Sequence, residues 1–207
     1  HFATIAGTAA TLGQSQRAII FLLALLGFGT KAGLIPLHVW LPRAHPAAPS
    51  HVSALMSGVM VKTALYGLLR VAIELAGPPA PWWGALLILG GGVSAVLGVL
   101  YALMERNLKR ILAYSTVEHI GILTMGTGAT LYLDGRGHSS LAALALIATL
   151  THLLNHSLFK GLLFLGAGAI QAGSGVRDLE RLGGLIHRMP RTSILMLIGC
   201  MSIAAVP

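Results

Sequence analysis

The feature that most constrains this chain is a series of long apolar stretches that contain almost no charge. Five are long enough to cross the ~30 Å hydrocarbon core of a bilayer at about 1.5 Å of rise per residue, and a sixth is begun. In lipid each backbone polar group must be satisfied within its own segment, so these stretches predict helices. The sequence predicts an all-α, polytopic transmembrane helix bundle of about six spans, with residues 1–207 in one domain. The predicted spans are approximately 18–41, 50–75, 82–104, 111–133, 141–170 and 193–207.

The sixth span stops before it is long enough to cross, and the chain opens on His1. We therefore expect an internal fragment of a longer chain, with its last span truncated.

The composition excludes several classes of protein. Only 10% of the 207 residues are charged, whereas soluble domains carry about 25%, and the mean hydropathy is +0.80. A soluble globule of this size could not hide so much apolar surface. A soluble enzyme, a disordered tail and a nucleic-acid binder are excluded. The formal net charge of +8 instead fits a membrane protein with basic loops.

The basic residues also predict an orientation. If the spans alternate, one side receives three cations, Arg17, Arg70 and Arg136, and the other side receives eight. The positive-inside rule makes the eight-cation side cytoplasmic, including loops 105–110 and 171–192. The eight are Arg43, Arg106, Lys109, Arg110, Arg177, Arg181, Arg188 and Arg191.

Within the second of these loops, apolar residues at helical spacing over 176–191 fit a short interfacial helix. An ordinary loop is an equally good interpretation of the same residues.

Cys200 is the one cysteine of the sequence. A single thiol excludes an intramolecular disulfide and an iron–sulfur cluster held within this chain, which would need about four thiolates. We expect no cofactor and no metal in this chain.

The informative residues are ionisable groups inside the predicted spans. A Lys or Glu at mid-membrane is disfavoured by ~2.5–3.5 kcal/mol even on a lenient scale, so such groups point to function. These residues are Lys31, Lys62, Glu118, His119, His152, His156 and Lys160.

Three of them lie on one helix at positions i, i+4 and i+8: His152, His156 and Lys160. This spacing places them on one face, in a polar line ~12 Å long. Groups that both take and give protons in such a row suit a proton wire. Two alternatives stay open. In the first, the three polar side chains only satisfy one another and join neighbouring helices. In the second, the two histidines ligate a metal or haem, which would need further ligands and would be opposed by the positive charge of the lysine.

Lys31 is followed by Gly33 and Pro36, which predict that the helix breaks there and exposes free carbonyls. Broken helices at membrane depth are typical of transport sites. The alternative for a lone lysine is that it snorkels to the surface, which suits Lys31 better than Lys62.

Glu118 is a possible acidic partner for these lysines. An ion pair between Glu118 and either Lys109 or Arg110, about two turns away, is the competing interpretation.

Three runs carry a resemblance to a known family. They are KAGLIPLHVWLPRAHPAAPSHVSALMSGVMVKTALYGLLR (31–70), NLKRILAYSTVEHIGI (107–122) and THLLNHSLFKGLLFLGAG (151–168). The chain resembles the antiporter-like proton-conducting subunits of respiratory NADH dehydrogenase (complex I), multisubunit cation/proton antiporters and membrane-bound hydrogenases. STVEHIG (115–121) and RDLERLGGLIHRMP (177–190) look most like the branch of hydrogenase-4 component B and formate hydrogenlyase subunit 3.

The resemblance implies roles for single residues. Lys31 matches the family's central lysine on a broken helix, Lys62 a second buried lysine, and Lys109 a lysine at a helix start near the channel. The residues of the family's connecting channel are matched here by His152, His156 and Lys160. The family's glutamate on an earlier helix and its Lys or Glu on a later broken helix are expected outside this sequence.

The resemblance further implies a proton-translocating subunit in a bacterial or archaeal cytoplasmic membrane. Its expected partners are other membrane subunits and a peripheral redox arm of a hydrogenase or formate hydrogenlyase, besides lipid and protons, with no nucleic acid. Whether the chain belongs to an enzyme stays open. The alternatives are a subunit of an NADH–quinone oxidoreductase, a sodium/proton antiporter without a redox partner, and a scaffold that anchors a redox arm.

Overall fold

The fold is a bundle of helices in a computed structural model that describes residues 12–204. No strand occurs among these residues, apart from one isolated bridge between Asn107 and Asp178, and the predicted all-α class is confirmed. Residues 205–207 of the predicted sixth span lie outside the described part. The helices are α1 (Gln14–Ala32), α2 (Leu41–Ala47), α3 (Ser50–Leu75), α4 (Pro81–Leu103), α5 (Leu108–Asp134), α6 (Ser139–Ser174), α7 (Leu185–Arg188) and α8 (Pro190–Ile203).

By length and hydropathy alone, three of the described helices could cross a membrane: α3, α4 and α6. Helix α5 has 27 residues, about 40 Å, which is also long enough, but it carries more polar side chains. More than half of its residues are buried, because neighbouring helices cover it. A helix shielded from lipid in this way can cross with polar residues that an exposed span could not carry.

The predicted break near Lys31 is confirmed. Helix α1 ends at Ala32, and Gly33 adopts the left-handed conformation with φ +84°. The carbonyls that were expected to be free are satisfied, however. The Gly29 oxygen accepts from the Gly33 and Leu34 amides, and the Trp40 indole Nε1 donates to the Thr30 oxygen at 2.8 Å. Two of the last carbonyl groups of α1, those of Gly29 and Thr30, are therefore not free.

Glycines at intervals of seven residues bring α4 and α5 into backbone contact. A Cβ atom on Gly91 would lie 2.6 Å from the Gly121 carbonyl oxygen, and one on Gly84 would lie 2.5 Å from the Gly128 oxygen. A Cβ on Gly98 would meet the Glu118 backbone nitrogen at 2.7 Å. Small residues allow membrane helices to approach this closely, and this spacing fixes how α5 is rotated relative to its neighbours.

The loops meet at two opposite ends of the bundle, as the alternation of spans predicted. At one end the Arg177 side chain donates to the Pro46 oxygen at 3.3 Å, and the Leu108 amide donates to the Arg177 oxygen at 3.1 Å. At the other end Arg17 lies against Gly77. Arg177 of the eight-cation set and Arg17 of the three-cation set thus lie at opposite ends of α3.

The segment 176–191 does not form one interfacial helix. It contains a 3₁₀ turn, Leu179–Arg181, and the single turn α7. Gly184 between them has φ +62°, which interrupts any continuous helix.

Candidate functional site

Buried and half-buried polar side chains of α3, α5 and α6 form a group inside the bundle, here called the polar seam. Each of the three helices contributes at least two residues to it. The members are Ser57 and Lys62 from α3, Ser115, Thr116 and His119 from α5, and His152, His156 and Lys160 from α6.

Lys160 is completely buried, with no exposed surface. Its Nζ atom donates to the Leu112 carbonyl oxygen at 3.1 Å and also to the Ser115 hydroxyl. Both acceptors lie on the first turns of α5. Hydrogen bonds to neutral oxygens compensate an ammonium group poorly for its loss of water. The free energy of the charged form therefore depends strongly on other charges nearby.

Lys62 is the second buried lysine of the seam; it lies on α3 and is 5% exposed. Residues Met56–Met60, just before it, form a π-helical turn, and the Lys62 ammonium donates to the Ser57 carbonyl oxygen within this turn. A π turn disturbs the regular pairing of backbone groups and occurs often at functional sites. The sequence predicted a buried Lys62 but gave no sign of this turn.

The histidines form a cluster in which His119 of α5 lies between two residues of α6. The His119 Nδ1 and His152 Nε2 atoms are 3.1 Å apart, and the His119 and His156 ring centroids are 4.7 Å apart. The two α6 rings are farther from each other, at 6.4 Å. His119 of α5 therefore contacts two members of the line predicted on α6, His152 and His156. His156 is fully buried, and neither of its ring nitrogens has a hydrogen-bond partner within residues 12–204.

Two hydroxyl groups connect the Lys62 and Lys160 regions. The Ser57 and Thr116 hydroxyl oxygens are 2.7 Å apart, and Thr116 donates to the Leu112 oxygen at 2.8 Å. This same Leu112 oxygen accepts from Lys160. The two lysines of different helices thus share one hydrogen-bonded framework whose centre is α5.

Two of the predicted residues lie beside the seam. Lys109 is 4% exposed at the start of α5, where its Nζ donates to the Ala48 oxygen at 2.9 Å. Glu118 is half-buried against Gly98 of α4 and interacts electrostatically with Lys160. The alternative ion pair of Glu118 with Lys109 or Arg110 does not form. Arg110 instead pairs with Glu105 at 2.8 Å.

Lys31 lies apart from the seam. Its side chain is exposed on the last turn of α1. No hydrogen bond or ion pair described for residues 12–204 connects it to the other predicted residues. Its role as a central lysine stays a prediction from the resemblance.

Sequence reasoning missed the hydroxyl residues Ser57, Ser115 and Thr116. Each is a common residue in a membrane helix, where a hydroxyl usually bonds to its own helix backbone. The available signal was the position of Ser115 and Thr116 at the start of the run STVEHIG, two to four residues before the polar pair Glu118 and His119.

The metal alternative finds no ligand set in the described part of the chain. Within residues 12–204 no group of three or more His, Cys, Asp or Glu side chains is arranged to hold a metal ion. The histidine cluster has three rings, but Lys160 and Lys62 act on it with positive charge, which opposes a cation.

The whole chain, residues 1–207, matches the family described as NADH:quinone oxidoreductase/Mrp antiporter, transmembrane. It is 52% identical over 200 residues to hydrogenase-4 component B of Escherichia coli, covering 95% of this chain and 30% of that protein. It is 48% identical to formate hydrogenlyase subunit 3 of the same organism, covering 91% of this chain and 31% of that protein.

Among solved structures, the Mrp complex from Dietzia sp. contains a chain with a TM-score of 0.85 and 28% identity, covering 98% of this chain and 36% of that one. The chain thus spans about a third of the length of the proteins that it matches. Both the sequence match and the fold lead to one conclusion: this multi-pass membrane chain belongs to the NADH:quinone oxidoreductase/Mrp antiporter family.

Proposed function

We propose that this chain is part of a proton-translocating membrane subunit, in which protons pass along the polar seam. The observation that carries the proposal is that Ser57 and Thr116 join two buried lysines, Lys62 and Lys160, in one hydrogen-bonded network. The Ser57 carbonyl oxygen accepts from Lys62, the Ser57 and Thr116 hydroxyls bond to each other, and the Leu112 oxygen accepts from both Thr116 and Lys160. A proton path needs groups that change charge, separated by groups that both accept and donate. Lysine, histidine and hydroxyl side chains supply these two kinds of group.

The carbonyl oxygens in the seam only accept hydrogen bonds, so they position the ammonium groups and do not relay protons. Transfer runs through the hydroxyls of Ser57, Ser115 and Thr116 and through water that bridges the remaining gaps. The three histidines extend the path along α6, away from the Lys109 end. The orphaned ring nitrogens of His156 are free to take part in it.

Like charges repel strongly where water is excluded, so two charged lysines within this seam oppose each other. A charge that moves near the seam therefore changes where the proton resides. A tenfold change in proton affinity corresponds to ~1.4 kcal/mol, and moving one charge across 100 mV costs ~2.3 kcal/mol. A few tenfold changes in proton affinity, one after another along the path, are therefore enough to drive a proton across a membrane.

We further propose that the whole subunit serves an energy-converting redox complex of the membrane-bound hydrogenase or formate hydrogenlyase type. The high identity to two proteins with those names supports this assignment. The partners would be other membrane subunits and a peripheral redox arm that holds the cofactors. The eight-cation end of the bundle would face the cytoplasm of a bacterial or archaeal cell.

The second candidate is a subunit of a sodium/proton antiporter with no redox partner, which the likeness to a chain of the Mrp complex favours. An NADH–quinone oxidoreductase subunit would use the same seam. The metal and flavin content of the gently purified native complex separates these candidates. Nickel with iron supports the hydrogenase, iron with flavin supports the NADH dehydrogenase, and the absence of redox metal supports the antiporter.

Proton flux into vesicles tests the function itself. We expect Lys160→Ala in the full-length protein to assemble and to lose proton transport, and we expect the same of Lys31→Ala if the family role of Lys31 applies. Asn155→Ala is the matched control, because Asn155 lies on α6 beside the seam but is exposed. Unchanged flux in both lysine variants would refute the proposal and leave the scaffold interpretation.

A further inference from the structure

A polar cleft opens at the eight-cation end of the bundle, outside the seam. It lies between the α4–α5 connection and the segment that follows α6, and its volume is about 540 Å³. Four arginines line it, together with two carboxylates. The charged lining residues are Arg106, Arg110, Arg177, Arg181, Glu105 and Asp178.

The backbone around this cleft is fixed before any ligand arrives. The Leu108 amide donates to the Arg177 oxygen at 3.1 Å, and the Leu179 amide donates to the Arg106 oxygen at 3.0 Å. The Arg177 side chain also reaches a third segment, through its bond to the Pro46 oxygen. The two walls are thus tied together in antiparallel pairing, and a ligand would meet a preformed site.

The cleft carries an excess of positive charge, because its four arginines face the carboxylates of Glu105 and Asp178 in the lining and that of Glu180, which pairs with Arg106. Two of its arginines form ion pairs, Arg110 with Glu105 and Arg106 with Glu180. Arg177 bonds to a neutral oxygen, and Arg181 makes no ion pair within residues 12–204. Guanidinium groups bind phosphate oxygens in bidentate geometry, so this arrangement favours a phosphate-bearing anion.

The rim of the cleft distinguishes a lipid from a free anion. Met104 is 81% exposed and lines the cleft, and Leu103 beside it is 78% exposed at the end of α4. These side chains continue onto the outer face of α4, where Leu100, Val96 and Val93 are exposed. A headgroup in the cleft would therefore lie where its acyl chains could follow this apolar face into the bilayer. Anionic lipids are abundant on the cytoplasmic leaflet, where basic pockets of this kind bind them.

We propose that the arginine cleft binds the phosphate of an anionic phospholipid, with the acyl chains along α4. This lipid site is inferred without reference to the seam or to the proposed transport function. Arg177 also acts electrostatically on Lys109, so a bound headgroup would neutralise positive charge next to the lysine at the edge of the seam.

The test is the binding of short-chain phosphatidylglycerol to the full-length protein in detergent, measured by native mass spectrometry and by the thermal midpoint Tm. Short-chain phosphatidylcholine and inorganic phosphate are the comparison probes. The double variant Arg177→Gln/Arg181→Gln removes two cleft charges. The matched control, Arg188→Gln/Arg191→Gln, removes two charges from the same end but outside the cleft.

We expect phosphatidylglycerol to bind in preference to both other probes. The cleft variant should weaken its binding roughly 30-fold, about fivefold for each arginine, and the control variant should weaken it much less. Equal loss in both double variants would overturn the site, because it would show a general attraction to the basic end. Inorganic phosphate that binds as tightly as the lipid would overturn the lipid assignment. An unchanged Tm of each variant without lipid confirms that it is folded, and Lys160→Ala should bind lipid normally even if transport fails.

Discussion

Helix α5 presents two faces that differ sharply in chemistry. Towards α4 it offers Gly121 and Gly128, and the two helices touch backbone to backbone. Towards α3 and α6 it offers hydroxyls that contact Ser57 and Lys160 and a histidine that contacts His152. At the first face the ionisable residue Glu118 lies beside Gly98, whereas Lys160, His119 and His152 all take part in contacts at the second.

The difference shows how a membrane bundle can hold expensive polar groups. The glycine face has no adjustable side chains, so it fixes the position and rotation of α5 and requires close packing. That fixed position places the Leu112 oxygen and the Ser115 hydroxyl where Lys160 of α6 reaches them. It also places the Thr116 hydroxyl beside that of Ser57, the residue that holds Lys62 in α3. One face supplies the rigidity that the other needs for its chemistry.

The largest effect is expected from a substitution on the glycine face. In Gly91→Val the new Cβ would stand 2.6 Å from the Gly121 carbonyl oxygen, so the helices must separate. We expect a loss of stability of at least ~3 kcal/mol and little assembled protein. Gly90→Ala is the control, because a Cβ there meets nothing within 4 Å. Yield and Tm in detergent measure both variants, and a Gly91→Val protein as stable as the control would contradict the close contact.

A smaller effect is expected on the polar face from Thr116→Val. The change keeps the side-chain shape and removes the hydroxyl that lies 2.7 Å from that of Ser57. We expect proton flux in vesicles to fall by roughly three- to tenfold, while stability changes by about 1 kcal/mol.

Thr127→Val is the matched control for this experiment. Thr127 is also buried on α5, but the hydrogen bond described for its hydroxyl within residues 12–204 goes to the Leu123 oxygen of its own helix and not to α3. Equal flux in the two valine variants would show that the Ser57–Thr116 contact serves packing alone.

The smallest effect is expected from removing a charge that lies on neither face of α5. Glu180 pairs with Arg106 at 2.9 Å, but both side chains are more than half exposed. Glu180→Gln should therefore change stability by less than about 1 kcal/mol and leave proton flux unaltered. A large decrease in flux would show that charges at this end are coupled to the seam more strongly than the structure indicates.

The sequence predicts the helices well, because their length and hydropathy are local properties. The predicted spans 82–104 and 111–133 lie within three residues of the ends of α4 and α5, and the break at Gly33 follows from its own backbone preference. The common face of the α6 residues follows from helical periodicity alone.

Contacts between helices could not be predicted in the same way. That His119 lies between His152 and His156 depends on how α5 is rotated, which the glycines of another helix determine. The exposed position of Lys31 likewise depends on which helices pack against α1, which no local pattern records.

The central claim is that Lys62 and Lys160 belong to one proton path, and a double-mutant cycle on proton flux tests it most directly. Lys62→Met, Lys160→Met and the double variant would be compared in the full-length protein, reconstituted at equal amounts in vesicles. If the two lysines act in one path, the double variant should transport no less than the more impaired single variant. Losses that multiply in the double variant, or wild-type flux in either single variant, would contradict the claim.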